Sequence, residues 1–166
     1  MPVVWSDRCL LHEPGAEIWI GVRTPATELP ARILAIRHAL DARVVEAAPH
    51  PDGALHLVHD PELTDYLASA WGEWEAAGLP DDPGQDRVVP YVFAHAGLGG
   101  RRVPAAPTAK PGAFAYDTMT LVGPGTWEAA RAAVDCALTA VDLVLGGEPA
   151  AYACTRPPGH HAARAC

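Results

Sequence analysis

The most constraining stretch of this chain is Arg156-Pro157-Pro158-Gly159-His160-His161-Ala162. Two consecutive prolines fix φ and remove two backbone donors, so neither a helix nor a central strand runs through them. Gly159 permits φ > 0 and a close backbone approach. The preceding residues, Ala150 to Thr155, are nearly all apolar and read as a short strand of the kind that parallel sheets bury on both faces. In an open α/β sheet, ligands bind in the crevice beyond the carboxyl ends of the strands. The sequence therefore delivers a rigid turn and two imidazoles to the place where such folds do chemistry. Histidine titrates near neutrality and both takes and gives protons. Neighbours on an extended strand point to opposite faces; after a Pro-Pro-Gly turn, both rings can enter one cleft. The competing reading is a surface loop with two solvated histidines. The strand, the turn and Arg156 together favour the functional one.

The chain before this turn alternates strands and helices. Val3-Val4-Trp5 reads as a first strand, followed by a long Pro- and Gly-containing loop from Leu10 to Leu29 that holds His12, Glu13, Glu17 and Trp19. Pro30 suits a first helical turn, and a helix from Pro30 to about Ala42 presents Ile33, Ile36, Ala39 and Leu40 as its apolar stripe. Arg43 to Ala47 reads as a second strand. Asp60-Pro61 reads as a helix start with a capping oxygen, Leu63, Tyr66, Leu67, Ala70, Trp71 and Trp74 keep helical spacing, and Gly78 ends the run. That aromatic stripe reads as core. His56 and His59 read as ordinary helix or loop histidines.

Leu79 to Arg87 is a polar linker, and Pro90 makes Val88 to Phe93 an edge or a loop. Gly97 to Gly112 is a second long loop whose glycines match no phosphate fingerprint. Thr126 is expected to cap a helix to about Leu145, with Trp127, Ala130, Val134, Leu138, Val141 and Leu145 on its inner face and Gly146-Gly147 as its stop. Helix, short turn and buried strand in succession are the rhythm of a parallel α/β sheet.

At 166 residues the chain is long enough for one domain with a real core. The formal net charge of -8 argues against general nucleic-acid binding and favours cationic partners. No apolar run approaches a membrane span, and the first residues carry no basic segment followed by an apolar core, so no signal peptide is expected. Cys9, Cys136, Cys154 and Cys166 have no metal-type spacing and are expected to be reduced, mostly buried thiols of a cytoplasmic protein.

The Arg156–Ala162 motif resembles the signature of the zinc-dependent histone deacetylase superfamily, in its class II and bacterial branch. Val3 to Asp7, His59 to Glu62, Trp71 to Gly78 and Gly123 to Ala130 are similar to bacterial acetylpolyamine amidohydrolases, so the likeness spans nearly the whole chain. The resemblance implies a three-layer α/β/α fold with a mainly parallel, arginase- and deacetylase-like sheet, incomplete here, with residues 1–166 forming the N-terminal part of a single deacetylase domain. It implies hydrolysis of an acetylated amine with Zn²⁺. His161 would be the general base and then acid, and His160 its electrostatic partner. The family's Asp-x-His and further Asp ligands lie downstream of the histidine turn, so no metal ligand is assigned within these residues, and the chain alone is expected to be inactive.

For the substrate, the resemblance offers Glu17 in the first long loop to meet an ammonium and Asp117 to hold the substrate backbone. Met119 stands where the polyamine enzymes are expected to carry a carboxylate. Acetyl-lysine, acetylpolyamine and other amides therefore all stay open. Expected partners are the acetylated amine and a second copy in a homodimer, with neither nucleic acid nor membrane. Two other readings stand beside this one. A non-catalytic remnant would bind or oligomerise through the two long loops, and an arginase-like hydrolase would need a two-metal His/Asp cluster.

Overall fold

The computed structural model describes residues 1–81 and 85–166, with the backbone alone at Leu98. Residues 82–84, within the linker expected from Leu79 to Arg87, lie outside the described residues. The chain groups into two compact units. One comprises residues 1–13, 28–54 and 124–160; the other comprises residues 14–27, 55–123 and 161–166.

The first unit is an α/β layer. Its sheet has strands β1 (Val3–Trp5), β4 (Val44–Glu46) and β5 (Tyr152–Ala153) in the order β4-β1-β5, with all pairs parallel. Helix α1 (Pro30–Leu40) connects β1 to β4, and α4 (Thr126–Leu145) leads into β5. The chain moves from β1 to one side, then crosses back past β1 to the other. Right-handed crossovers taken in opposite directions place α1 and α4 on opposite faces of the sheet. This is the three-layer α/β/α arrangement. β1 is central and buried on both faces, with Val3, Val4 and Trp5 at most 2% exposed. They form the core with Cys9, Ile33 of α1, Ala132, Cys136 and Ala140 of α4, and Cys154. Each such large apolar side chain contributes about 1.5–3 kcal/mol on burial.

Several local expectations change. Only Ile33 of the α1 stripe is buried; Ile36 is 40% exposed. In α4 the buried line is Ala129, Ala132, Cys136, Thr139 and Ala140, whereas Val141 and Leu145 are exposed. The bulk of β1 already fills this space, and small side chains let the helix approach it closely. Thr126 does not cap α4. Gly125, with φ 74°, holds the N-cap position, and the Thr126 hydroxyl lies 2.9 Å from Nδ1 of His12. A Cβ at Gly125 would come within 2.6 Å of the Leu11 carbonyl oxygen, so this glycine is required by close approach. The last strand is shorter than expected, limited to Tyr152–Ala153, with Tyr152 partly exposed.

In the second unit, the loop expected over Leu10–Leu29 contains a two-stranded antiparallel hairpin, β2 (Ala16–Trp19) and β3 (Val22–Pro25). Its two-residue turn is Ile20-Gly21, with φ 50° and 77°, the signature of a type I′ turn. The short α2 turn, Gly53–His56, begins in the first unit and ends in the second, and α3 spans Pro61–Ala76. Leu63, Tyr66 and Ala70 of α3 pack with Ala113 and Phe114. Tyr66 stacks on Phe114 with ring centroids 4.3 Å apart, so this aromatic stripe is core, as its spacing indicates. Asp60 does not cap α3 through its side chain. Its carboxylate instead accepts from Arg164 Nε at 2.7 Å. Val88 makes one antiparallel bridge to Val122, and no longer strand forms around Pro90.

Candidate active site

In sheet order β4-β1-β5, β1 and β5 are parallel neighbours, so their carboxyl ends lie side by side at one edge of the sheet, the edge where open α/β sheets bind ligands. Two segments leave the sheet there. After β1 come a 3₁₀ turn at Asp7–Leu10 and then Leu11, His12 and Glu13. After β5 come Cys154, Thr155, Arg156 and the Pro-Pro-Gly turn to His160. The histidine turn thus leaves the carboxyl end of a parallel strand, as its sequence suggests.

Arg156 is the buried centre of this end of the first unit, 1% exposed. Its Nε donates to Glu28 Oε1 at 2.9 Å and one terminal nitrogen donates to the Glu28 carbonyl at 2.8 Å. The other donates to the carbonyls of Cys9, at 3.2 Å, and His12. Glu28 also pairs through its other oxygen with Arg32. Burial lowers the Arg156 pKa from its ordinary value, yet a guanidinium stays charged in proteins, and its acceptors satisfy it. Neither Glu28 nor the Cys9 and His12 carbonyls carry a signal in the sequence that points to Arg156. The Arg156–Pro157 peptide is cis.

Beneath this centre lie three buried thiols, Cys9, Cys136 and Cys154, all free. A hydrogen bond with the Cys136 thiol, and then the nearby Arg156, pull Cys9 below the usual thiol range. The same hydrogen bond, followed by burial, pushes Cys136 up, and burial pushes Cys154 up. Cys154 sits 3.9 Å from the Ile33 carbonyl, as a packed structural thiol does.

His160 closes the first unit and His161 opens the last segment of the second; both side chains are exposed. In the second unit the Tyr116 hydroxyl donates to the His161 carbonyl at 2.8 Å. Two residues on, the Thr118 hydroxyl donates to the Ile18 carbonyl of β2 at 3.0 Å. Residues 116–118 therefore join the segments that carry three sequence-selected residues: Glu17 on β2, Asp117 and His161. Each of the two carboxylates has local work. Glu17 Oε1 accepts from the Thr27 amide at 2.9 Å and its hydroxyl at 2.8 Å. Asp117 Oδ1 accepts from the amides of Met119 and Thr120 at 3.0 and 3.1 Å, forming an Asx turn. Tyr116 escaped the sequence reading because nothing in its spacing marks a partner at residue 161.

Among the described residues, no group of three or more His, Cys, Asp or Glu side chains could hold a metal ion. The residues present do not form a catalytic zinc site, which takes three protein ligands and an open position. His56 meets Thr64 at 3.2 Å and His59 meets the Ala163 carbonyl at 2.9 Å, consistent with ordinary helix and loop histidines. Among the described residues, no helix is long and apolar enough to cross a membrane.

Comparison with known proteins places this geometry. The histone deacetylase domain model matches residues 26–166. An acetylpolyamine amidohydrolase from Mycoplana ramosa is 32% identical over 98% of this chain and 47% of its own length. Acetylpolyamine amidohydrolase 1 from Pseudomonas aeruginosa is 31% identical over 96% of the chain and 46% of its own length. A crystal structure of an acetylpolyamine aminohydrolase from Burkholderia pseudomallei superposes with a TM-score of 0.84 at 30% identity, covering 99% of this chain and 47% of that one. The chain thus spans about half the length of the relatives it matches. With the family model matching most of its residues and the histidine turn at the carboxyl end of a parallel strand, the chain belongs to the histone deacetylase family.

Proposed function

We infer that this chain supplies the acid–base part of an amidohydrolase that removes acetyl groups from acetylated amines. The observation that carries this reading is the histidine turn: two adjacent histidines follow the carboxyl end of the parallel strand β5, behind a buried and fully engaged arginine. In this reading His161 takes a proton from the attacking water and returns it to the departing amine. His160, beside it in the chain, steadies the charge that appears. Two imidazoles suit both steps because each protonation state is accessible near neutral pH. Family membership and the names of the curated relatives support an acetylated amine as substrate.

Zinc belongs to this reading through the family resemblance, and the described residues offer it no ligand set. We therefore place its ligands outside these 166 residues, and residues 1–166 within a single deacetylase domain that contains them. The substrate contacts proposed are Glu17, toward an ammonium, and Asp117, toward the substrate backbone. Each has one carboxylate oxygen committed to local turns. The lack of a metal cluster among the described residues also favours a second reading, a non-catalytic binding module.

Acetate release separates the two. The product of the complete reading frame should release acetate from an acetylated polyamine or an acetyl-lysine peptide and contain zinc, whereas the 166 residues alone should release none. A complete product with neither acetate release nor bound metal would favour the binding module. Hydrolysis by the 166 residues alone would contradict the placement of the ligands.

A further inference from the structure

Arg156 stands apart from the exposed ion pairs of this protein. In the Arg23–Asp86 pair the two side chains are 58% and 49% exposed, and the Arg164 side chain is 71% exposed. In the Arg156–Glu28 pair they are 1% and 20% exposed. The donors of Arg156, itself on the chain after β5, reach acceptors on two other segments: Cys9 and His12 after β1, and Glu28 before α1. Three of those acceptors are backbone carbonyls, whose positions are set by the fold. A planar guanidinium with donors in a rigid fork registers such segments to one another; a lysine point charge does not.

Between Arg156 and His160 lie only Pro157, Pro158 and Gly159. The prolines fix φ at two of these positions. The link from the held arginine to His160 is thus three residues long with two of its φ angles fixed, so where the Arg156 backbone is anchored bears directly on where His160 sits.

We propose that Arg156 is a positioning residue for the histidine turn and that Glu28 is the carboxylate that orients it. The pair touches no reacting atom. It holds the segments after β1 and β5 in register and so fixes where His160 sits. This rests on the amidohydrolase reading above, and it adds two residues that set the geometry of that site.

The test uses the complete gene product and the variants Arg156→Lys and Glu28→Gln, with two readouts: kcat and KM for an acetylated amine, and the ring-nitrogen NMR resonances of His160. A misplacement of about 1 Å costs on the order of 100-fold, so Arg156→Lys should lower kcat by about 10- to 100-fold. KM should stay within about twofold, since no substrate contact is lost. Glu28→Gln should lower kcat several-fold, and both variants should displace the His160 resonances. A folded Arg156→Lys with unchanged kcat and unchanged His160 resonances would overturn the proposal, as would a rise in KM with kcat intact. If Arg156→Lys does not fold, Glu28→Gln decides by the same two readouts. If the unsubstituted protein releases no acetate, the hydrolase reading fails by itself, and the resonances then decide positioning: displaced supports it, unmoved overturns it.

Discussion

The Tyr116 hydroxyl donates a hydrogen bond to the carbonyl oxygen of His161 at 2.8 Å, across 45 residues of sequence. The bond pins the backbone of the proposed general base from its own unit, and its donor is a half-exposed phenol with no other evident task. Tyr116→Phe removes the donor and keeps the ring. A net hydrogen bond contributes about 0.5–1.5 kcal/mol, so stability in urea should fall by no more than about 1 kcal/mol. Turnover of an acetylated amine by the complete protein should fall several-fold through kcat. An unchanged kcat would show that His161 is held well enough without Tyr116.

Arg156 is nearly fully buried, so removing its carboxylate partner should cost more than removing an exposed one. Glu28→Ala leaves a desolvated guanidinium with carbonyl acceptors only. Breaking a buried pair from one side costs about 3–5 kcal/mol. The remaining acceptors and the partial exposure of Glu28 set the expectation at the lower end, about 3 kcal/mol by urea unfolding. Asp86→Ala, in an exposed pair with Arg23, should cost at most about 1 kcal/mol.

The hairpin turn offers a stabilising substitution. Ile20 is 83% exposed and holds φ 50°, a conformation that β-branched side chains disfavour. Asn-Gly is the preferred pair for this turn type. Ile20→Asn should therefore raise stability by about 0.5–1 kcal/mol, measured as an increased urea midpoint at constant slope. A lower midpoint would mean that the exposed isoleucine has an apolar partner in the working protein.

His50 lies between two carboxylates of α4, with Nε2 3.0 Å from Asp142 and Nδ1 3.3 Å from Asp135. Arg131 pairs with Asp135 and Asp52 and donates to the His50 carbonyl. The hydrogen bond to Asp142, together with that to Asp135, raises the His50 pKa above its ordinary value. A raised histidine contributes stability that is fully present below its unfolded pKa of about 6.5 and is lost as pH rises through the folded value. Stability should fall as pH rises from about 6 through the folded His50 pKa. Asp142→Asn should flatten that fall, and an unaltered pH profile in the variant would remove His50 as its source.

The elements that depend on local signals were legible in the sequence. Pro30 and Pro61 mark the first turns of α1 and α3, and Gly146 follows the last turn of α4. The parallel sheet followed from the alternation of those helices with short apolar strands. Features settled by partners far along the chain were not legible. Asp60 and Thr126 carry side chains that cap helices, but Arg164 and His12 claim them instead. The inner face of α4 does not follow side-chain size: its large apolar residues mark one line, while the residues fully buried against the bulky β1 are Ala, Cys and Thr. Ile20-Gly21 carries only half of a hairpin signal, so β2 and β3 were hidden within an expected loop. In the site, the histidine turn is legible as a motif, but its tie to Glu28 joins residues 128 positions apart and has no local signature.

The most direct measurement is acetate release by the complete gene product carrying His161→Asn, with zinc content and thermal unfolding measured alongside. A general acid–base residue contributes about 100- to 10,000-fold to rate. The account predicts a loss of that order, with the metal retained and the unfolding temperature unchanged. A folded, metal-containing His161→Asn protein with turnover within about twofold of the parent would contradict the assignment of acid–base chemistry to the histidine turn.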